Sequence, residues 1–205
     1  MSRILKSVCV ALILAAGPTA LVLETQPAMA QAADPAVAQV QGFYDALVAS
    51  MKSGGTPKSR YARLKPAVEK AFDLDAMTAT VIGPTWSTLT EADKKALTDA
   101  FGRMTIASYA RNFDSYGGEK FPVEPASIPR GNDHFVKSKM VGSETHAFNY
   151  RMHQVGSDWK ITDILLEGSI SQMAQKRSDF ASTLASGGPQ TLAKRINALA
   201  DQMLS

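Results

Sequence analysis

Cysteine is almost missing from this chain: its 205 residues include one, Cys9. That residue sits in an apolar stretch near the amino terminus, so the rest can form no disulfide and offers no thiolate nucleophile or cysteine-ligated metal. Long hydrophobic runs are also lacking. VCVALILAA, Val8 to Ala16, is stopped by Gly17-Pro18, well short of the ~20 residues a spanning helix needs. Charge of one sign is missing too, with 22 Lys and Arg against 19 Asp and Glu, a net +3. The basic residues are scattered and not interleaved with aromatics, which argues against a nucleic-acid surface. There is no G-x-S-x-G elbow. The pairs Gly54-Gly55, Gly117-Gly118 and Gly187-Gly188 lack the Lys and Ser/Thr of a phosphate loop and read as helix stops. Of the three histidines, His146 and His153 are seven apart on one expected strand and point to opposite faces. They and His134 read as solvated strand residues, so neither a metal site nor a cofactor is expected.

What is present begins with a targeting pattern over residues 1–30. Arg3 and Lys6 supply the charged start, the run above the apolar middle, and Ala28-Met29-Ala30 before Gln31 a small-x-small cleavage signal. Export is the expectation, with a retained anchor as the competing reading. Residues 31–205 are enough chain for a single domain with one core.

Periodicity divides that domain. Asp34-Pro35 reads as an N-cap followed by proline at the first helical position, and Val37, Val40, Tyr44, Leu47 and Met51 line one side of the helix behind it. Tyr61, Leu64, Val68 and Phe72 form a second stripe, in which Pro66 predicts two short helices meeting. Asp73 caps a turn or two through Met77 and Val81. Thr90-Glu91-Ala92-Asp93 resembles a capping box opening the longest helix, expected to run to about Tyr116 with Leu97, Phe101, Met104 and Tyr109 on one side. From Phe121 the period becomes two: an edge strand at Phe121 and Val123, another over Phe135–Met140, and an alternating strand through His146, Phe148, Tyr150 and Met152. Trp159 to Leu166 is a fourth, and helices come after it, broken at Gly187-Gly188-Pro189. The order predicts an α+β fold, an antiparallel sheet of about four strands with helices packed on one face.

The stretch from Trp159 to Phe180, WKITDILLEGSISQMAQKRSDF, passes from strand to helix with both ends marked. With Trp159, Asp163, Glu167, Gly168, Arg177, Ser178, Phe180 and Gly187-Gly188, it resembles the C-terminal signature of the MlaC family, also called the toluene-tolerance auxiliary family. GSISQMAQKRSDF and Ala100 to Phe121 are more similar to its hopanoid-associated, HpnM-type branch. The resemblance implies a cone-like, NTF2-like fold with a curved sheet, and a periplasmic lipid carrier in ABC-type lipid transport. The implied partners are a phospholipid or hopanoid, an inner-membrane ABC transporter complex and an outer-membrane lipid complex, with transient membrane association. It also implies a pocket between sheet and helices. The apolar candidates for its lining are Phe43, Leu47, Met77, Trp86, Phe101, Met104, Tyr109 and Phe113 from the helices, with Phe148, Tyr150, Met152, Ile164 and Leu166 from the sheet. Pattern alone does not distinguish a lined cavity from a filled core. Tyr109, Tyr150 or Arg111 are candidates for a polar rim.

Asp163 and Glu167, at i and i+4 in a strand, point the same way. Such a pair could do general acid and base work, and a small isomerase or dehydratase using Asp163 with Tyr44 or Tyr150 is the rival reading. A non-catalytic partner of hopanoid biosynthesis is the third. The structural account is preferred: Asp163, Glu167, Gly168 and Arg177 build the strand-to-helix corner, Asp163 accepting hydrogen bonds or meeting a cation such as Arg177, and Glu167 accepting from backbone donors of the next helix.

Overall fold

The computed structural model describes residues 33–205, so the targeting segment assigned to residues 1–30 lies outside the described residues. The helical half comes first: α1 (Pro35–Ser53), α2 (Pro57–Ala71), α3 (Leu74–Ile82), a 3-10 turn (Gly83–Thr88) and α4 (Glu91–Asn112). A sheet of β1 (Ile128–Arg130), β2 (Asp133–Val141), β3 (Thr145–Val155), β4 (Asp158–Leu166) and β5 (Ile170–Ser171) comes next, and α5 (Gln172–Leu204) ends the chain. The strands lie in sequence order, each antiparallel to the next. The expected α+β fold is therefore found, with five strands in place of four. Among the described residues, no helix is long and apolar enough to cross a membrane.

Local chemistry accounts for the helix starts. Asp34 Oδ1 accepts from the backbone N–H of Ala36 at 2.9 Å and Val37 at 3.4 Å, Asp73 caps α3 through Ala76, and Thr90 caps α4 through Asp93. Pro66 does not split α2, which runs through it. Both Pro66 and Ala62, whose carbonyl loses its partner, are exposed, so the proline falls on the solvent side of the helix, while Leu64 and Val68 keep the buried face continuous. α4 stops at Asn112, before the expected Tyr116, and its 22 residues still make it the longest unbroken helix among the described residues. The α5 span contains a true break, because Gly188 holds φ 69° and ψ −174°. The predicted edge strand at Phe121–Val123 reduces to isolated bridges, Lys120 with Val141 and Val123 with Ser138. Pro122 between them has no N–H to extend the ladder.

The sheet buries Val136, Ser138, Tyr150, Met152 and Ile161 against the helices and exposes Lys137, Lys139 and Arg151. A bulge in β4 decides which way the end of that strand faces. Ile161 pairs with Met152 and Ile164 with Tyr150, so three steps on β4 match two on β3. The extra residue resets the alternation, bringing Ile164 and Leu166 to the inner face alongside Ile161.

Asp34 also ties α1 to the sheet edge: its Oδ2 accepts from the Ser127 N–H at 2.8 Å and the Ser127 hydroxyl at 2.6 Å. Partial burial pushes this carboxyl's pKa up, but the hydrogen bonds from Ser127, Val37 and Ala36 outweigh it and hold the value below the usual 3.8. A depressed folded-state pKa stabilises above the unfolded pKa and ceases to do so as pH falls through the folded value. Asp34→Ala should therefore lower the melting temperature at neutral pH, with the gap to the parent closing in acid below that range. Melting curves across pH check this, and a gap that stays constant into acid refutes it.

Candidate binding cavity

Three surfaces meet around an opening in the core: the side of α4, the inner face of β3 and β4, and the first turns of α5. They enclose a cavity of about 210 Å³. On α4, Phe101, Thr105, Ser108 and Asn112 succeed one another at spacings of four, three and four, which is one helical stripe, and all four line the cavity. Burial falls along that stripe, from Phe101 at 1 % exposed through half-buried Thr105 and Ser108 to exposed Asn112. The cavity thus runs along α4 from a closed apolar end to a polar mouth.

The walls are mostly oily. Met77 of α3, Met104 and Tyr109 of α4, Phe113 at its end, Phe148 of β3 and Ile164 and Leu166 of β4 contribute, as do Met173 and Met203 of α5. Gln172 and Lys176, one turn apart on α5, complete the lining. Lys176 is its one charged side chain, and it also pairs with Asp179 at 3.2 Å.

Of the apolar candidates named from the sequence, Met77, Phe101, Met104, Tyr109, Phe113, Phe148, Ile164 and Leu166 come together here. Phe43, Leu47, Tyr150 and Met152 do not; each is at most 2 % exposed within the core. Phe43 sits edge-on to Phe72 and to Tyr109, each at 5.0 Å between ring centroids, filling the space behind the cavity. Trp86 lies in the 3-10 turn with Lys94 over its ring. The rim is not made as expected: Tyr150 is internal and Arg111 reaches the Gln202 carbonyl. Thr105, Ser108, Asn112, Gln172, Met173, Lys176 and Met203 were absent from the candidates. The four-three-four spacing on α4 is the signal that could have found Thr105, Ser108 and Asn112, but an apolar criterion passes over polar side chains.

The strand-to-helix corner follows the sequence expectation at Asp163, which accepts hydrogen bonds, and departs from it at Arg177 and Glu167. Asp163, 8 % exposed, accepts from the Ile164 N–H at 2.7 Å, the Ser171 hydroxyl at 2.6 Å and the Met173 N–H at 3.2 Å. Ser171 in turn accepts from Ala174. The two side chains together cap the first turn of α5, and Asp163 is not part of the cavity wall. Arg177 does not meet Asp163; its guanidinium packs against Gly83, where an added Cβ would lie 2.5 Å from it. Glu167 does not share a face with Asp163 either. It enters a turn with φ 50°, with Gly168 next at φ 80°, and bonds His146 at 2.9 Å instead of a helix N-terminus. Trp159 packs on His134 at 4.2 Å between ring centroids, and Phe180 is buried beside a separate groove that Arg177 also lines. The histidines all have polar partners: His134 meets Ser127, His146 Glu167 and His153 Asp73. Among the described residues, no group of three or more His, Cys, Asp or Glu could hold a metal ion.

The family described as MlaC protein matches residues 40–198. The chain belongs to the MlaC family. A solved structure of the phospholipid-binding protein from Ralstonia solanacearum, in complex with a phospholipid, is similar to it at a TM-score of 0.73 and 22 % identity, covering 84 % of this chain and 100 % of that one. At that identity the likeness establishes a shared fold. No match is found among curated proteins. Within this MlaC member, the cavity between α4, the sheet and α5 is the place where fold and lining chemistry converge.

Proposed function

We propose that this protein is a non-catalytic lipid carrier that holds the apolar part of a phospholipid or hopanoid in the α4–sheet–α5 cavity. The observation that carries the reading is the cavity itself, walled by apolar side chains at one end and rimmed by hydroxyls, amides and one ammonium at the other. A volume of about 210 Å³ has room for about seven water-sized groups at ~30 Å³ each. At about 0.8 kcal/mol per methylene, filling it contributes roughly 6 kcal/mol. A longer tail needs the walls to yield, and Met77, Met104, Met173 and Met203 are the side chains suited to that. The Ralstonia relative's bound phospholipid supports a phosphate-bearing ligand, as does Lys176 at the mouth. The likeness of GSISQMAQKRSDF and of Ala100 to Phe121 to the hopanoid-associated branch supports a polycyclic one.

The catalytic rival loses support because the Asp163 carboxylate is occupied by three donors at the corner of α5. In this reading residues 1–30 are a cleaved signal, residues 31–205 act as one domain in the periplasm, and the lipid is exchanged with an inner-membrane ABC transporter complex and an outer-membrane lipid complex. Native mass spectrometry of the protein taken gently from its own compartment tests the reading. A co-purified lipid is expected; an empty protein that also takes up no labelled phospholipid or hopanoid overturns it. Lys176→Glu should weaken anionic phospholipid about two- to fivefold relative to an uncharged lipid, the scale of an exposed charge pair. Equal affinities for both variants would remove Lys176 from headgroup contact.

A further inference from the structure

A second apolar space adjoins the cavity along α3 and α5. It is a groove of about 420 Å³ between the end of α3, the 3-10 turn and the first half of α5, walled by Val81, Ile82, Thr85, Phe180, Ala181 and Leu184. Val81, Ile82 and Phe180 form a buried floor, each at most 5 % exposed. Thr85 and Ala181 stand exposed on the two banks, one on the 3-10 turn and the other on α5.

The same two helices wall both spaces. On α3, Met77 lines the cavity and Val81, one turn on, lines the groove; on α5, Met173 lines the cavity and Arg177, one turn on, lines the groove. Residues four apart are neighbours on a helix surface, so one space begins where the other stops. The cations repeat the relation. Lys176 and Arg177 are consecutive and project about 100° apart around the α5 axis, Lys176 to the cavity and Arg177 to the groove. Lys176 is shared with Asp179 at 3.2 Å. Arg177 is exposed, lies over Gly83 at the end of α3, and makes no ion pair among the described residues.

We infer that the groove holds the second chain of a two-chain ligand whose first chain lies in the cavity, and that Arg177 meets the ligand's phosphate from the groove side. This rests on the cavity being the lipid site. The cavity takes about seven water-sized groups, so a second chain needs apolar surface of its own, and the groove supplies it within reach of the same headgroup. A phosphate over the step from Lys176 to Arg177 sits on the ridge of α5, with the two spaces falling away on either side. Arginine suits that place because its planar fork pairs with two phosphate oxygens at once.

The test compares dioctanoyl phosphatidylglycerol with its one-chain octanoyl form, each titrated as a monomer into the intact protein by calorimetry. The two-chain lipid should bind at least about tenfold more tightly. Ala181→Trp builds an indole into the groove from an exposed position, and should bring that ratio to about one while leaving the one-chain Kd within about twofold. Thr85→Trp makes the same block from the opposite bank and decides if Ala181→Trp does not fold. A ratio near one in the parent, or a ratio that survives the block, overturns the inference; if the surviving ratio comes with a changed oligomeric state, the groove belongs to a second copy of the chain. Arg177→Gln should weaken dioctanoyl phosphatidylglycerol about two- to fivefold and spare dioctanoylglycerol, which lacks the phosphate. Equal losses on both overturn the phosphate contact. If neither phospholipid binds the parent, the lipid-site reading fails first; if the one-chain lipid binds and the second chain adds nothing, this inference alone fails.

Discussion

Asp163→Ala is expected to lower the melting temperature by roughly 6–12 °C. The carboxylate is buried and accepts from two backbone N–H groups and a serine hydroxyl. Hydrogen bonds to a charged group contribute about 1.5–3 kcal/mol each in mutational series, and donors left without partners cost more. Since these donors sit where water can partly reach the start of α5, about 3 kcal/mol is the reasonable total. A domain of this size shifts by about 2–4 °C per kcal/mol. Asp163→Asn should fall between, because its amide oxygen can still accept while its NH₂ faces donors. The folded fraction should keep its lipid affinity, since Asp163 does not line the cavity. Thermal unfolding monitored by circular dichroism, with lipid binding measured well below the transition, separates the two. A melting temperature within about 2 °C of the parent, or lipid loss at unchanged stability, contradicts the capping role.

Filling the cavity should have the largest effect on binding. Thr105 is half-buried on the α4 stripe midway between the closed end and the mouth, so Thr105→Trp places an indole where the tail would lie. Excluding about four methylenes at 0.8 kcal/mol each removes about 3 kcal/mol, a rise of roughly a hundredfold in Kd. The melting temperature should hold or rise, because the new side chain occupies space that is open in the parent. Co-purified lipid measured by mass spectrometry and Kd by displacement report on it together. Unchanged lipid content in a well-folded variant would place the ligand elsewhere. If tryptophan overpacks the site and stability drops, Ser108→Leu imposes a smaller block on the same stripe, and its expected direction is the same.

Much of the fold was legible because it rests on local signals. Asp34-Pro35, Asp73 and Thr90 announce helix starts by short-range capping, and the alternation from His146 to Met152 announces a half-buried strand. Pro66 misled because the cost of an internal proline depends on which side of the helix it falls, and only the packed helix shows that Pro66 and Ala62 face solvent. The β4 bulge was invisible: Ile161 and Ile164 look incompatible with one strand face until the pairing with β3 supplies the extra residue. The same limit hid Ser171 as the partner of Asp163, since the two meet only because the Glu167-Gly168 turn folds β5 back onto β4.

The chain alone determined the class of the fold, the faces that must be buried, the absence of disulfide chemistry beyond Cys9 and, through the residues around Trp159 to Phe180, the family. Tertiary structure decided which oily side chains surround a space and which close it. Phe101 and Phe43 carry the same side chain on helices of the same period, yet one faces the cavity and the other packs on Phe72. Periodicity reports which way a residue points but carries no information on how far away the opposite wall stands. That distance is set by the crossing of α4 and α5 over the sheet, and it makes a cavity out of a pattern that would equally describe a solid core.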